Sequence, residues 1–288
     1  MKNPKLLLLR KLPLLRLMCS LALVGLVAAV PQLHAAGDDD FDSYAIKITA
    51  TWFYSNPSGT LQSATGGGLI DLKKDIGFSS YSTFAGKIDW KFTRKNHLYF
   101  VATPFTTSRQ TVLSRTITFQ GQTFAAGLAT QSELKANLYA AGYQYDILRR
   151  RRGHLGIAVQ IDTYDSRASF NAAAQITGDG VRHLSASASR LVPIPVLGPE
   201  VRFYLTNSPR LYVQGDVYGM YFFGYGNFLS SVGQLGLRIT KHLNVDAGYQ
   251  LGSRLNANNS SSRNRFGLSL TQTGAIVGIE VPFGGAGQ

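Results

Sequence analysis

The chain has 288 residues, of which 44% are hydrophobic and only 16% charged, with a formal net charge of +13. So low a charge fraction is unusual in a soluble domain, and the lack of any run of about 20 apolar residues in the body of the chain excludes a helical membrane protein.

A long apolar stretch occurs only at the N-terminus. Lys2, Lys5, Arg10, Lys11 and Arg16 precede the apolar segment Leu17–Val30, and small residues follow to Ala36. This is the order of a secretory signal peptide cleaved near Ala35 or Ala36, so residues 1–36 read as the signal and 37–288 as the mature domain. Cys19, the only cysteine, leaves with the signal, and the mature chain forms no disulfide. Leu17-Met18 ahead of it does not make a lipidation box, which needs a small residue before the cysteine. Five of the 29 basic residues lie in the signal, which leaves 24 against 16 acids, a net of +8.

After the acidic run Asp38-Asp39-Asp40-Phe41-Asp42 the sequence alternates with period two and shows no sustained helical period. In 44–54 one face reads Tyr44, Ile46, Ile48, Ala50, Trp52, Tyr54 and the other Ala45, Lys47, Thr49, Thr51, Phe53. The pattern predicts about ten strands, near 43–54, 83–93, 97–108, 134–148, 153–165, 194–205, 210–223, 229–240, 243–254 and 272–283. Possible extra hairpins at 66–78 and 265–270 give a range of eight to twelve. Turns such as 93–96, 149–153, 206–209 and 240–242 are tight, while the other connections are mostly long and rich in Ser, Asn, Gly and Thr. Short turns at one end and long loops at the other predict a transmembrane antiparallel up-and-down β-barrel in the bacterial outer membrane, with both termini in the periplasm. The lipid-facing set includes Ile46, Ile48, Trp52, Ile88, Trp90, Val159, Leu237 and Val281, and the aromatics near strand ends form two interfacial rings.

The segments 70–77 (IDLKKDIG), 115–124 (RTITFQGQTF) and 138–145 (LYAAGYQY) resemble a loose family of uncharacterised bacterial outer-membrane β-barrel proteins. More distantly, the architecture is similar to small OmpA- and OmpW-type barrels. The resemblance implies fold and location, contact with outer-membrane lipids and recognition by the barrel-insertion machinery, and it carries over no catalytic residue. One departure is the C-terminus, where Phe283 is followed by five more residues instead of ending the chain.

Inward faces carry Lys47, Lys87, Asp89, Lys91, Asp146, Asp162, Glu200, Arg202, Asp216, Arg238, Asp246 and Glu280. In a narrow lumen these charges are tolerable only as pairs, so a cross-strand ionic network filling the barrel is expected. An alternative makes them the lining of a narrow passive channel, although open aqueous pores belong to wider barrels. Arg94, Lys95, Arg149, Arg150, Arg151, Arg152, Arg210 and Lys241 fall at the periplasmic turns and equal the mature basic surplus. They read as cations beside inner-leaflet phosphates, not as a nucleic-acid surface, because no aromatic residues interleave them.

The long loops 109–132 and 166–193, with Arg109, Arg115, Arg167, Arg182 and Arg190, are the expected contacts to lipopolysaccharide or external partners. A lipid-modifying enzyme is the remote alternative. His97, His154 and His242 sit beside periplasmic turns with no evident shared cleft, and His183 with Ser185, Ser187 and Ser189 could pair only by chance proximity in a serine-rich loop. No cofactor and no metal site are expected, and the chain is not expected to be an enzyme.

Overall fold

The computed structural model describes residues 41–63, 68–175, 181–222, 226–257 and 266–284. Residues 1–36, read above as a signal peptide, and with them Asp38–Asp40 and Gly66-Gly67, lie outside the described residues.

Alternating residues commit the chain to strands, and the strands run β1 (Ile46–Ser63), β2 (Ile70–Asp71), β3 (Tyr81–Lys91), β4 (Asn96–Thr103), β5 (Thr106–Val112), β6 (Ile117–Phe119), β7 (Gln122–Phe124), β8 (Ala129–Arg150), β9 (Gly153–Gln175), β10 (Val181–Tyr204), β11 (Leu211–Phe222), β12 (Gly226–Thr240), β13 (Leu243–Ala257) and β14 (Phe266–Phe283). Neighbours pair antiparallel in the order β1, β3, β4, β8, β9, β10, β11, β12, β13, β14. Pairing of β14 back onto β1, from Ile46↔Phe283 to Ser63↔Phe266, closes the barrel. β4 and β5 are one stave, both paired to β8 and interrupted at Pro104-Phe105, where proline lacks the N–H a ladder needs. The result is a ten-stave, all-β barrel in which every stave pairs with a neighbour on both sides, the condition for strands to cross lipid, while the upper part of β10 pairs with β9 alone.

The outer wall is apolar. Val159, Leu237 and Ile48 are exposed, and Trp52, Ile88, Trp90 and Val281 are half-buried on the same surface. Ile46, expected against lipid, is instead buried, because its register partners Trp90 and Phe283 flank it on either side. Trp52 stacks on Tyr54 (ring centroids 6.3 Å apart) towards the outer end, and Trp90 packs on Phe92 (5.5 Å) at the periplasmic end. Inside, large rings cover cross-strand glycines. Tyr99 lies over its partner Gly142 and Tyr212 over Gly236, and a Cβ at either glycine would overlap the ring.

The segments 109–132 and 166–193, expected as loops, are largely strand. β8, β9 and β10 are 22, 23 and 24 residues long. At about 3.3 Å per residue they far exceed the roughly 25 Å apolar band of a membrane barrel and form a wall projecting beyond it. The reason they escape a hydropathy reading is visible along β9. Up to Ile161 the outward residues are apolar and exposed; beyond it Arg167 and Asn171 face out while Tyr164, Ala168 and Phe170 are buried inside. The apolar face changes sides where the wall leaves the lipid. Neither extra hairpin adds a stave: 266–270 continues β14, and Ile70–Asp71 is a two-residue strand against β1.

The connections between β1 and β3 and between β5 and β8 build an outer cap. β6 and β7 form a tight hairpin through Gln120 (φ 52°) and Gly121 (φ 77°), the paired positive φ values of a type I′ turn. Phe119 and Phe124 are fully buried, and Phe119 meets Phe170 of β9 edge-on at 4.8 Å. The hairpin touches both β1 and β10, which lie five staves apart in either direction round the ring, so it spans the lumen across its diameter. Leu61, Ile70, Leu72, Ile76, Leu113 and Ile117 pack with it in one apolar cluster.

Candidate functional site in the barrel lumen

At the periplasmic end the lumen is filled by charge. Residues 41–45 precede β1 and cross the mouth: Phe41 N donates to Arg151 O (3.0 Å), and Phe41 O accepts from Arg238 (2.8 Å) on β12. Asp42 sits at the centre, buried. Its carboxylate lies 3.5 Å from Lys91 Nζ on β3 and accepts a hydrogen bond from Arg202 on β10 at 3.2 Å. Its carbonyl accepts from Lys91 (2.9 Å) and Arg149 (3.0 Å). His154 Nδ1 is 3.2 Å from the same carboxylate. Burial alone would favour the neutral acid, but Lys91 and Arg202 overcome it and hold the Asp42 carboxyl well below the usual carboxylate range.

Around Asp42 the strands contribute a second set of pairs. His97 is wedged between Asp89 (Nδ1, 3.2 Å) and Asp146 (Nε2, 3.1 Å), and Asp146 also accepts from Arg149 at 2.6 Å. Tyr44 donates to Asp89 (3.1 Å), and Lys91 sits 3.8 Å from the centre of its ring. Glu280 accepts from Arg202 and from Asn244 (3.1 Å), with Lys47 3.7 Å away.

Higher in the lumen Lys87 lies 3.9 Å from Glu200, over the Tyr99 ring. Of the remaining inward acids, Asp162 accepts from Gln160 (2.7 Å) and Asp246 from Gln234, and Asp216 stands opposite Glu200 in the register; among the described residues none of the three has a cation at ion-pair distance. Arg238 donates to carbonyls at the periplasmic turn, not to a carboxylate.

The turn arginines were expected beside lipid phosphates, and two depart from that. Arg149 turns inward with its side chain 2% exposed, and Arg152 donates to the carbonyls of Tyr204 (3.2 Å) and Leu205 (2.7 Å). Arg94, Lys95, Arg150, Arg210 and Lys241 are exposed at the turns. Of the loop arginines, Arg109 and Arg167 are exposed, and Arg115 binds Asp75 (2.8 Å) within the cap, where its hydrogen bond holds the Asp75 carboxyl below its ordinary value. Arg190 is half-buried, and the side chain of Arg182 lies outside the described residues. His183 and Ser185, Ser187 and Ser189 are all exposed on β10, and no hydrogen bond joins the imidazole to these hydroxyls.

Asp42, His97, His154 and Arg149 are central residues that the sequence did not place among the inward charges: Arg149 was expected against lipid and His97 and His154 beside turns without a shared cleft, whereas the two imidazoles lie 6.2 Å apart in one buried cluster. The two histidines were legible by parity: His97 is in phase with inward Tyr99, and His154 with inward Gly156 and Ala158. Asp42 precedes the first alternating residue and carried no periodic signal.

Two cavities separate plug from cap, one of about 240 Å³ beside Lys87, Glu200 and Asp216, and one of about 140 Å³ above it beside Asp162, Tyr164 and Phe228. They share Phe53, Leu138, Gln160 and Tyr218 as walls.

Among solved structures the outer membrane protease OmpT of Escherichia coli is similar, with a TM-score of 0.54 at 14% identity over 84% of this chain and 97% of that one. The chain has the fold of a bacterial outer-membrane β-barrel. The Pseudomonas putida toluene transporter TodX (TM-score 0.36, 8% identity, 86% of this chain and 91% of that one) and the Yersinia pestis attachment invasion locus protein Ail (0.34, 10%, 81% and 98%) align more loosely and carry no argument. No family model matches the chain, and no curated protein matches it. The likeness is to outer-membrane barrels as a class and not to an OmpA or OmpW type. Together with the apolar outer wall it places the protein in the bacterial outer membrane.

Proposed function

We propose that the protein is a closed outer-membrane barrel with a structural and surface-contact role, and neither a channel nor an enzyme. The observation that carries this reading is the hairpin β6–β7 lying across the lumen from β1 to β10, above a periplasmic mouth already filled by Asp42 and its cations. A solute path would have to cross both.

The projecting wall of β8–β10 supports contact with lipopolysaccharide. Lys135 and Arg167 are register partners beyond the apolar band, where like charges opposite one another favour an anion between them, although Asp165 lies 3.8 Å from Lys135. Arg offers a bidentate fork to phosphate. For assembly, β14 ends on outward Phe283, an aromatic that the insertion machinery would read at an internal position.

The test is conductance of the purified barrel in planar bilayers. A silent bilayer is expected; stable unitary currents that change with Lys87→Glu would overturn the closed-barrel reading in favour of a passive channel.

A further inference from the structure

The upper cavity combines two features that structural filling does not require. Its walls are aromatic: Tyr164 and Phe228 lie 6.1 Å apart by ring centroids on one side, and Tyr81 and Phe105 lie 4.3 Å apart on another. Facing the same space is Asp162, 1% exposed, with a single hydrogen bond, to Gln160. Gln160 is itself fixed by Tyr99, whose hydroxyl donates to its Oε1 at 2.6 Å, so the amide presents its N–H to the carboxylate. Among the described residues no lysine, arginine or histidine lies within ion-pair distance of Asp162.

Three inward acids stand without a cation among the described residues, Asp162, Asp216 and Asp246, and of these only Asp162 lines the aromatic upper cavity. Glu200 has Lys87, Glu280 has Arg202 and Lys47, and Asp42, Asp89 and Asp146 each have a cation or an imidazole in contact. A carboxylate in a low-dielectric chamber is costly unless a positive charge meets it. Aromatic faces are themselves attractive to cations, and more so when desolvated. With the adjoining space, the chamber approaches the lower end of small-ligand pockets, about 300–1,000 Å³.

We propose that this chamber is a binding site for a small organic cation, an amine bearing an apolar or aromatic group. The ammonium meets Asp162 and the apolar part lies against Tyr164, Phe228 and Phe105. The Asp42 layer fills the periplasmic side and the β6–β7 hairpin lies over the outer side, so the ligand enters by local opening of that apolar cap. The inference is independent of the conductance reading: a barrel that passes no current can still hold a ligand.

The test uses the barrel refolded in detergent, with benzylamine and its uncharged analogue benzyl alcohol as probes, followed by saturation-transfer NMR and equilibrium dialysis. Wild type is expected to bind one benzylamine per barrel at least about tenfold more tightly than benzyl alcohol. Asp162→Asn is expected to abolish that preference while leaving benzyl alcohol binding unchanged. Should Asp162→Asn fail to give the heat-modifiable gel shift of a folded barrel, Phe228→Leu, which keeps apolar bulk but removes a ring face, is expected to weaken benzylamine more than benzyl alcohol. Equal affinity of wild type for the two probes, binding of neither, or a charge preference that survives the substitution would each overturn the proposal; the first two would mean that Asp162 is held neutral without a ligand.

Discussion

The two ends of the lumen are closed by opposite chemistry. At the periplasmic end a short leader inserts one carboxylate among cations from β3, β8 and β10. At the outer end the closure is apolar, with Phe119, Phe124 and Phe170 packed across the opening and the Arg115–Asp75 ion pair near the surface. The difference reflects what surrounds each end. Within the membrane the outer wall must be apolar, so the polar residues of each strand are driven inward and must satisfy one another. Beyond the membrane the wall faces water, the polar residues move outside, and the interior becomes an ordinary hydrophobic core.

The sharpest way to break this comparison is Asp42→Ala. Removing one member of a buried ionic cluster strands the rest, at about 3–5 kcal/mol. A lower urea midpoint in detergent and protease cleavage near Phe41 are expected, and an unchanged midpoint would mean that the leader is not part of the plug. Next in size is Phe119→Ala, which opens a void in the cap at a cost of about 3 kcal/mol. Faster hydrogen exchange is expected in β6, β7 and 70–78 only, with the periplasmic half unaffected; loosening of both ends together would show that they are one cooperative unit and not two.

Much of the barrel was legible because the alternation is clean where lipid enforces it. Leu155, Ile157, Val159 and Ile161 declare both strand and outer face. Legibility failed where the solvent changes. Ser185, Ser187 and Ser189 are rich in loop-like residues, yet they are the water-facing side of a strand whose inner side, Ala186 and Ala188, is small and apolar. The inward charges were readable by parity, but their partners were not, because Lys87 on β3 reaches across the lumen to Glu200 on β10, four staves away, and no neighbouring-strand pattern records that meeting. Asp42 could not be read at all, since a leader that folds back into the mouth leaves no periodic trace.

Two smaller effects sharpen the comparison. A double-mutant cycle on Lys87→Met and Glu200→Gln should give a coupling of about 1 kcal/mol, less than in the Asp42 layer, because this pair is longer and borders a cavity. Strict additivity would mean that the two groups are solvated separately.

The smallest effect is acid sensitivity of the cap. The Arg115 hydrogen bond lowers the Asp75 carboxyl, so the ion pair contributes fully above the ordinary carboxylate range near pH 4 and is lost as pH falls through the lower folded value. With half of the Arg115 side chain in solvent, the contribution is below about 1 kcal/mol. Pepsin nicking in 68–80, normalised to an unstructured peptide, should rise between pH 4 and pH 2 in wild type, whereas Arg115→Gln should already be nicked at pH 4. An identical profile for both would remove the pair from the account.

That the lumen is shut at both ends can be measured directly in a chain begun at residue 37, because Cys19 is the only cysteine of the sequence. Ser230→Cys places a single thiol on the wall shared by both cavities, and Ser108→Cys places one on the exposed outer surface as a reference. With a bulky sulfonated maleimide applied to both sides of proteoliposomes, the lumen thiol is expected to react at least about 100-fold more slowly than the reference, the ratio for an opening cost near 2.7 kcal/mol. Labelling of Ser230→Cys at a rate comparable to Ser108→Cys would contradict the closed barrel.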